Sequence, residues 1–145
     1  MNATRHLFKL VTATVVGTLT VLVLGVAYKR DIDDIRESPS LDVMHVLRER
    51  GARISYADPH APVLRAHEWP GRVELTSVSV TAEELARHDC VVVLTDHAEF
   101  DYQLVIDSAR LIVDTRNALG ANAGPHVFRL GAPSPGRLRS SVEAA

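Results

Sequence analysis

Lys29 and Arg36 are the residues most suited to chemistry. They lie in Gly25-Val26-Ala27-Tyr28-Lys29-Arg30-Asp31-Ile32-Asp33-Asp34-Ile35-Arg36-Glu37-Ser38-Pro39. Gly25 permits a close backbone turn after an apolar run. Ser38-Pro39 has the form of a helix start, with Ser as N-cap and Pro at the first helical position. Two cations between a strand end and a helix N-terminus describe a diphosphate site, since free N–H groups and the helix dipole favour anions there. Asp31, Asp33 and Asp34 support a second reading, in which solvated loop ion pairs take up the same cations. Arg116, in Val113-Asp114-Thr115-Arg116-Asn117, brings a planar fork suited to phosphate or carboxylate. Its plainer reading is an exposed strand-end arginine.

Other reactive residue types carry less. Asp58, His60 and His67 share one loop, but their spacing matches no metal site, which needs three or four convergent ligands. No metal is expected. Asp58 stands farther from Gly25 than the ribose-binding acid of dinucleotide folds, so Asp58-Pro59 reads as a turn opener. His97 reads as structural. Cys90 is the one cysteine, which excludes an internal disulfide and a cysteine-based zinc site. It opens an apolar run and reads as a small core hydrophobe rather than a nucleophile. No catalytic residue is assigned.

Strands alternating with helices must position these groups. Val21–Tyr28 reads as a buried parallel strand, followed by a polar loop over 29–38. A helix opens at Ser38-Pro39, buries Leu41, Met44 and Leu47, and stops at Gly51. Arg53–Ala57 is a second strand, 60–72 a surface loop, and Val73–Val80 a third strand. Thr81 with Glu84 has the form of a capping box for a helix to about Arg87. Cys90–Thr95 and Leu111–Asp114 are buried strands flanking a helix over Asp101–Arg110, and His126–Leu130 is a last short strand. This order implies an α/β fold, a parallel sheet with helices on both faces. Ligands bind such sheets beyond the carboxyl ends of the strands. Four segments occupy those ends: 29–36, 58–59, 96–100 and 115–117.

The 145 residues, 46% hydrophobic and 23% charged, fit a single globular domain. A net charge of -2 argues against bulk attraction to nucleic acid or anionic membrane. Leu10–Tyr28 is free of charge and long enough to span a bilayer. It is read as a buried strand preceded by a divergent extension over 1–20, in preference to a membrane anchor. Residues 132–145 read as a flexible tail.

Residues 21–39 resemble the start of the C-terminal domain of the UDP-glucose/GDP-mannose dehydrogenase family, NAD-dependent nucleotide-sugar 6-dehydrogenases. The likeness continues through Ser55-Tyr56-Ala57-Asp58-Pro59, Leu94-Thr95-Asp96-His97-Ala98-Glu99-Phe100 and Val113-Asp114-Thr115-Arg116-Asn117. Ala27-Tyr28-Lys29 with Asp31-Ile32-Asp33-Asp34 is most similar to the UDP-N-acetyl-hexosamine branch. The resemblance implies a Rossmann-like domain over 21–131 that binds a UDP-sugar. Through it, Lys29 contacts the substrate near sugar and diphosphate, Arg36 reaches toward NAD, and Arg116 contacts substrate, typically in a neighbouring subunit. Arg30 stands where the family often has proline, and Asn117 where a second basic residue is common.

The family's glycine-rich NAD loop and catalytic cysteine have no counterpart here. The resemblance therefore implies a fragment or split subunit, inactive alone, whose partners are the missing N-terminal and central domains. A cytoplasmic homo-oligomer that does not itself bind NAD is expected. The rival expectation is a non-catalytic membrane-anchored or interaction module that keeps the fold without the ligand.

Overall fold

The computed structural model describes residues 18–121 and 123–131. Its main sheet holds β1 (Thr20–Leu24), β2 (Arg53–Ala57), β5 (Cys90–Val93), β6 (Ile112–Asp114) and β7 (Val127–Arg129). The order across the sheet is β2-β1-β5-β6-β7, and every neighbouring pair is parallel. Between β2 and β5 the chain forms a small antiparallel pair, β3 (Val63–Leu64) with β4 (Leu75–Thr76).

Alternation along the strands builds two cores, because successive side chains face opposite sides of a sheet. Val21, Val23 and Val92 face helix α1 (Pro39–Glu49), which buries Leu41, Met44 and Leu47. Leu22, Leu24, Val91 and Val93 face α2 (Ala82–Arg87) and α3 (Tyr102–Ser108), through Leu85 and Val105. The expected α/β architecture with helices on both faces is thus present. The helix ends follow local chemistry. Thr81 accepts the Glu84 N–H at 3.1 Å, and Asp101 accepts the Leu104 N–H at 3.0 Å. Gly51 ends α1 in the left-handed conformation, φ 91°.

Three expectations need correction. β1 stops at Leu24 rather than Tyr28. Val26 and Ala27 are buried, but their N–H groups go to Asp58 Oδ2 at 2.7 and 3.0 Å instead of to a strand. The third strand shrinks to Leu75–Thr76 and lies outside the main sheet. Its partner falls within 60–72, which is more than a surface loop: Ala61, Leu64 and Trp69 are buried in the α1-side core.

The second half of the uncharged run passes through the sheet, since Thr20–Leu24 is a strand flanked by β2 and β5. No helix among the described residues is long and apolar enough to cross a membrane. The extension before residue 18 and the tail from 132 lie outside the described residues.

Candidate nucleotide-sugar site

The chain passes from β1 to β2 on one side of the sheet and then crosses to β5 on the other. That reversal places the expected ligand crevice beyond the carboxyl ends of β1 and β5. Gly25 turns the chain there at φ 81°. A Cβ at this position would lie 2.2 Å from the Thr95 carbonyl oxygen, so the approach requires glycine. Thr95 closes the junction by donating its hydroxyl to the Ala27 carbonyl at 2.7 Å.

A cleft of about 380 Å³ opens above these ends, lined among others by Tyr28, Ser40, Leu94, Thr95, Thr115 and Arg116. Arg116 is held at its base, where its backbone N–H donates to Asp114 Oδ1 at 3.0 Å. Its Nε lies 3.3 Å from Asp96 Oδ1, and the side chain stays half exposed. Arg30 approaches the same Asp96 at 3.8 Å. A second cavity, of about 480 Å³, lies beyond β2. It presents Asp58, Glu99 and Asp101 and no cation among the described residues, which suits an anion poorly.

The three basic residues singled out in the sequence are treated unequally. Arg116 lines the cleft. Lys29 is exposed at its margin, next to Tyr28, with Nζ 5.6 Å from the Tyr28 ring centroid. Arg36 is 86% exposed and forks onto Asp34, 2.9 Å from each carboxylate oxygen. This pairing holds the Asp34 carboxyl down at about 2. The ion-pair reading of the loop therefore describes Arg36, while Arg116 joins the cleft. The start of α1 offers fewer free donors than its sequence suggested. Pro39 has no N–H, the Ser40 N–H goes to Ser38 Oγ at 3.3 Å, and the Leu41 N–H goes to the Ser38 carbonyl at 3.1 Å.

Asp58 does more than open a turn. Its Oδ1 accepts from the N–H groups of His60 and Ala61, at 2.8 and 3.2 Å, which confirms the turn. Its Oδ2 accepts from Val26, Ala27 and the ring of His97, the last at 2.9 Å. Burial by itself would raise this carboxyl, but the converging N–H donors, those of Val26 and His60 first among them, hold it below its ordinary value. His97 is fully buried and receives the Asp31 N–H on Nδ1 at 2.9 Å. Its Nε2 therefore carries the hydrogen donated to Asp58. Asp31 Oδ1 accepts the Ala98 N–H at 2.8 Å. The loop that carries Lys29 is thus tied to the loops after β2 and β5.

Sequence reasoning passed over Tyr28, Thr95, Thr115 and Asp96. Each stood inside a quoted motif, but only the sheet order shows that the motifs share one rim. Cys90 is buried, and desolvation pushes its thiol up to about 12, consistent with a core role.

Residues 22–121 match the UDP-glucose/GDP-mannose dehydrogenase family, UDP binding domain. The chain belongs to this family. It is 38% identical over 110 residues to the UDP-N-acetyl-D-mannosamine dehydrogenase of Methanococcus vannielii, covering 70% of this chain and 23% of that relative. It is 31% identical over 135 residues to the UDP-glucose 6-dehydrogenase of Pseudomonas aeruginosa, covering 85% of this chain and 30% of that relative. The chain thus spans less than a third of either relative. A solved UDP-glucose dehydrogenase from Pyrobaculum islandicum superposes with a TM-score of 0.60 at 26% identity, over 88% of this chain and 29% of that one. The UDP-D-ManNAc dehydrogenase of Pyrococcus horikoshii shares the fold, with a TM-score of 0.65 at 23% identity, over 90% of this chain and 30% of that one.

Proposed function

We propose that this domain binds a UDP-sugar in the cleft beyond β1, β5 and β6, with Lys29 and Arg116 as its cationic contacts. It would do so as the substrate-binding part of an NAD-dependent nucleotide-sugar 6-dehydrogenase. One observation carries the reading: in a chain of the UDP-binding family, Arg116 lines the cleft at the sheet's crossover point. A delocalised fork bonds two phosphate oxygens at once, whereas the Lys29 ammonium supplies a mobile point charge at the rim. The half-exposed Arg116–Asp96 contact is weak enough for a diphosphate to displace.

Oxidation of the sugar C6 alcohol, and the NAD that receives the hydride, belong to parts of the enzyme not represented among these residues. Arg36 is assigned the side facing NAD. Its bond to Asp34 must open for it to serve there. The expected substrate branch is the UDP-N-acetyl-hexosamines, supported by the mannosamine dehydrogenase relative.

Calorimetric titration of the chain with UDP-N-acetylglucosamine and with NAD tests the proposal. Saturable UDP-sugar binding is expected, weakened about tenfold or more by Lys29→Ala and by Arg116→Ala, as loss of a charge-assisted contact implies. NAD should give no comparable heat. UDP-sugar binding that both variants leave intact would place the ligand elsewhere.

A further inference from the structure

The rim carries a second cluster that the nucleotide reading does not use. Asp31 follows β1, His60 follows β2, and His97 and Glu99 follow β5. One nitrogen or oxygen from each lies within 4.8 Å of the others. His60 Nε2 is 3.0 Å from Glu99 Oε1, yet it is buried and makes no hydrogen bond. The two atoms are close without being aligned as donor and acceptor. Such a spacing suits two ligands of one cation, which at bond lengths of about 2.1 Å stand roughly 3.0–3.4 Å apart. His97 Nδ1 and Asp31 Oδ1 are 3.7 Å apart, and the two imidazole rings are 4.8 Å apart between centroids.

We infer that Asp31, His60, His97 and Glu99 form a binding site for a first-row divalent transition-metal ion of the zinc class. Two imidazoles with two carboxylates favour such an ion over magnesium or calcium, which prefer oxygen ligands. Asp58 supplies the outer support that metal-bound histidines commonly have: it accepts the His97 Nε2–H at 2.9 Å and fixes the ring with Nδ1 toward the cluster. Metal binding at Nδ1 would have to displace the Asp31 N–H that now donates to it. Asp31 Oδ1 keeps the Ala98 N–H while offering its second lone pair. The ion would fasten together the loops that follow β1, β2 and β5.

The test needs no nucleotide, so it stands or falls separately from the proposed function. The full chain is stripped with chelator and titrated with Zn²⁺ alone, and in parallel with Co²⁺, whose visible bands report imidazole and carboxylate coordination. One equivalent is expected to bind. His60→Ala and Glu99→Gln should each weaken it at least tenfold, while His67→Ala, an exposed histidine outside the cluster, should change nothing. Mg²⁺ at the same concentration should not bind. Glu99 is half exposed, so Glu99→Gln decides the matter if circular dichroism shows His60→Ala unfolded. No saturable Zn²⁺ binding, or binding untouched by Glu99→Gln, overturns the inference.

Discussion

Asp58 illustrates how one side chain can organise a functional rim. A carboxylate that accepts from Val26, Ala27, His60, Ala61 and His97 cannot be replaced by a group with fewer lone pairs. Asp58→Ala strands several buried N–H donors and should cost about 3 kcal/mol or more. Asp58→Asn should recover only part of this, because its amide nitrogen meets donors where a carboxylate oxygen met them. Chemical denaturation of the three proteins measures both effects, and loss of less than about 1 kcal/mol in Asp58→Ala would show that water replaces the carboxylate. At the same scale, Lys29 and Arg116 differ in how they are held. Arg116 has its backbone pinned by Asp114. Lys29 lies in a loop closed on itself by the Tyr28 N–H donating to the Asp34 carbonyl at 2.7 Å.

At the scale of elements, the junction between β1 and its loop tolerates no side chain at Gly25. Gly25→Ala would push a methyl into the Thr95 carbonyl and hold alanine at a left-handed φ. The expected destabilisation is about 3 kcal/mol, read as a lower denaturation midpoint with an unchanged slope. Much of the element order was legible. β2 has the bounds its sequence predicts, and the caps Ser38 and Thr81 announce their helices because each is a local bond between neighbours in sequence; the Asp101 cap emerges only in the structure. What was not legible depends on distant partners. Val26 and Ala27 look like strand, and only a carboxylate more than thirty residues away takes their N–H groups. β3 and β4 are two residues each, too short for a period to emerge. For the site, basic residues could be named from the sequence, but the sheet order decided that Arg116 lines the cleft. The cluster of Asp31, His60, His97 and Glu99 draws on three loops, so no spacing along the chain could reveal it.

For the whole molecule, the rim that holds the cleft also shows apolar surface. Tyr28, Ile32 and Leu130 are exposed, and Tyr28 and Leu130 line the cleft itself. We expect this face to bring copies of the chain together, since exposed apolar groups beside a binding cleft favour association. Sedimentation equilibrium should give a mass that rises with concentration. If Arg116 serves a neighbouring copy's substrate, mixing Lys29→Ala with Arg116→Ala chains should restore part of the UDP-sugar binding that each has lost. A sharp monomer at high concentration, with no restoration on mixing, would confine the site to a single chain.

The placement of β1 has a consequence for how the chain acquires its shape. β1 lies between β2 and β5, and its Val21 is in register with Cys90. Thr20 also bonds Asp89, through its N–H and its hydroxyl at 2.9 and 2.8 Å, across 69 positions of sequence. The β1–α1–β2 unit can close early, because its partners are near in sequence. Its other strand edge stays bare until β5 emerges, and closing so long a loop carries an entropic cost that slows the step. During synthesis the first half of the chain must wait, with Val21, Val23 and Leu24 only partly covered, for the segment around Cys90 to leave the ribosome.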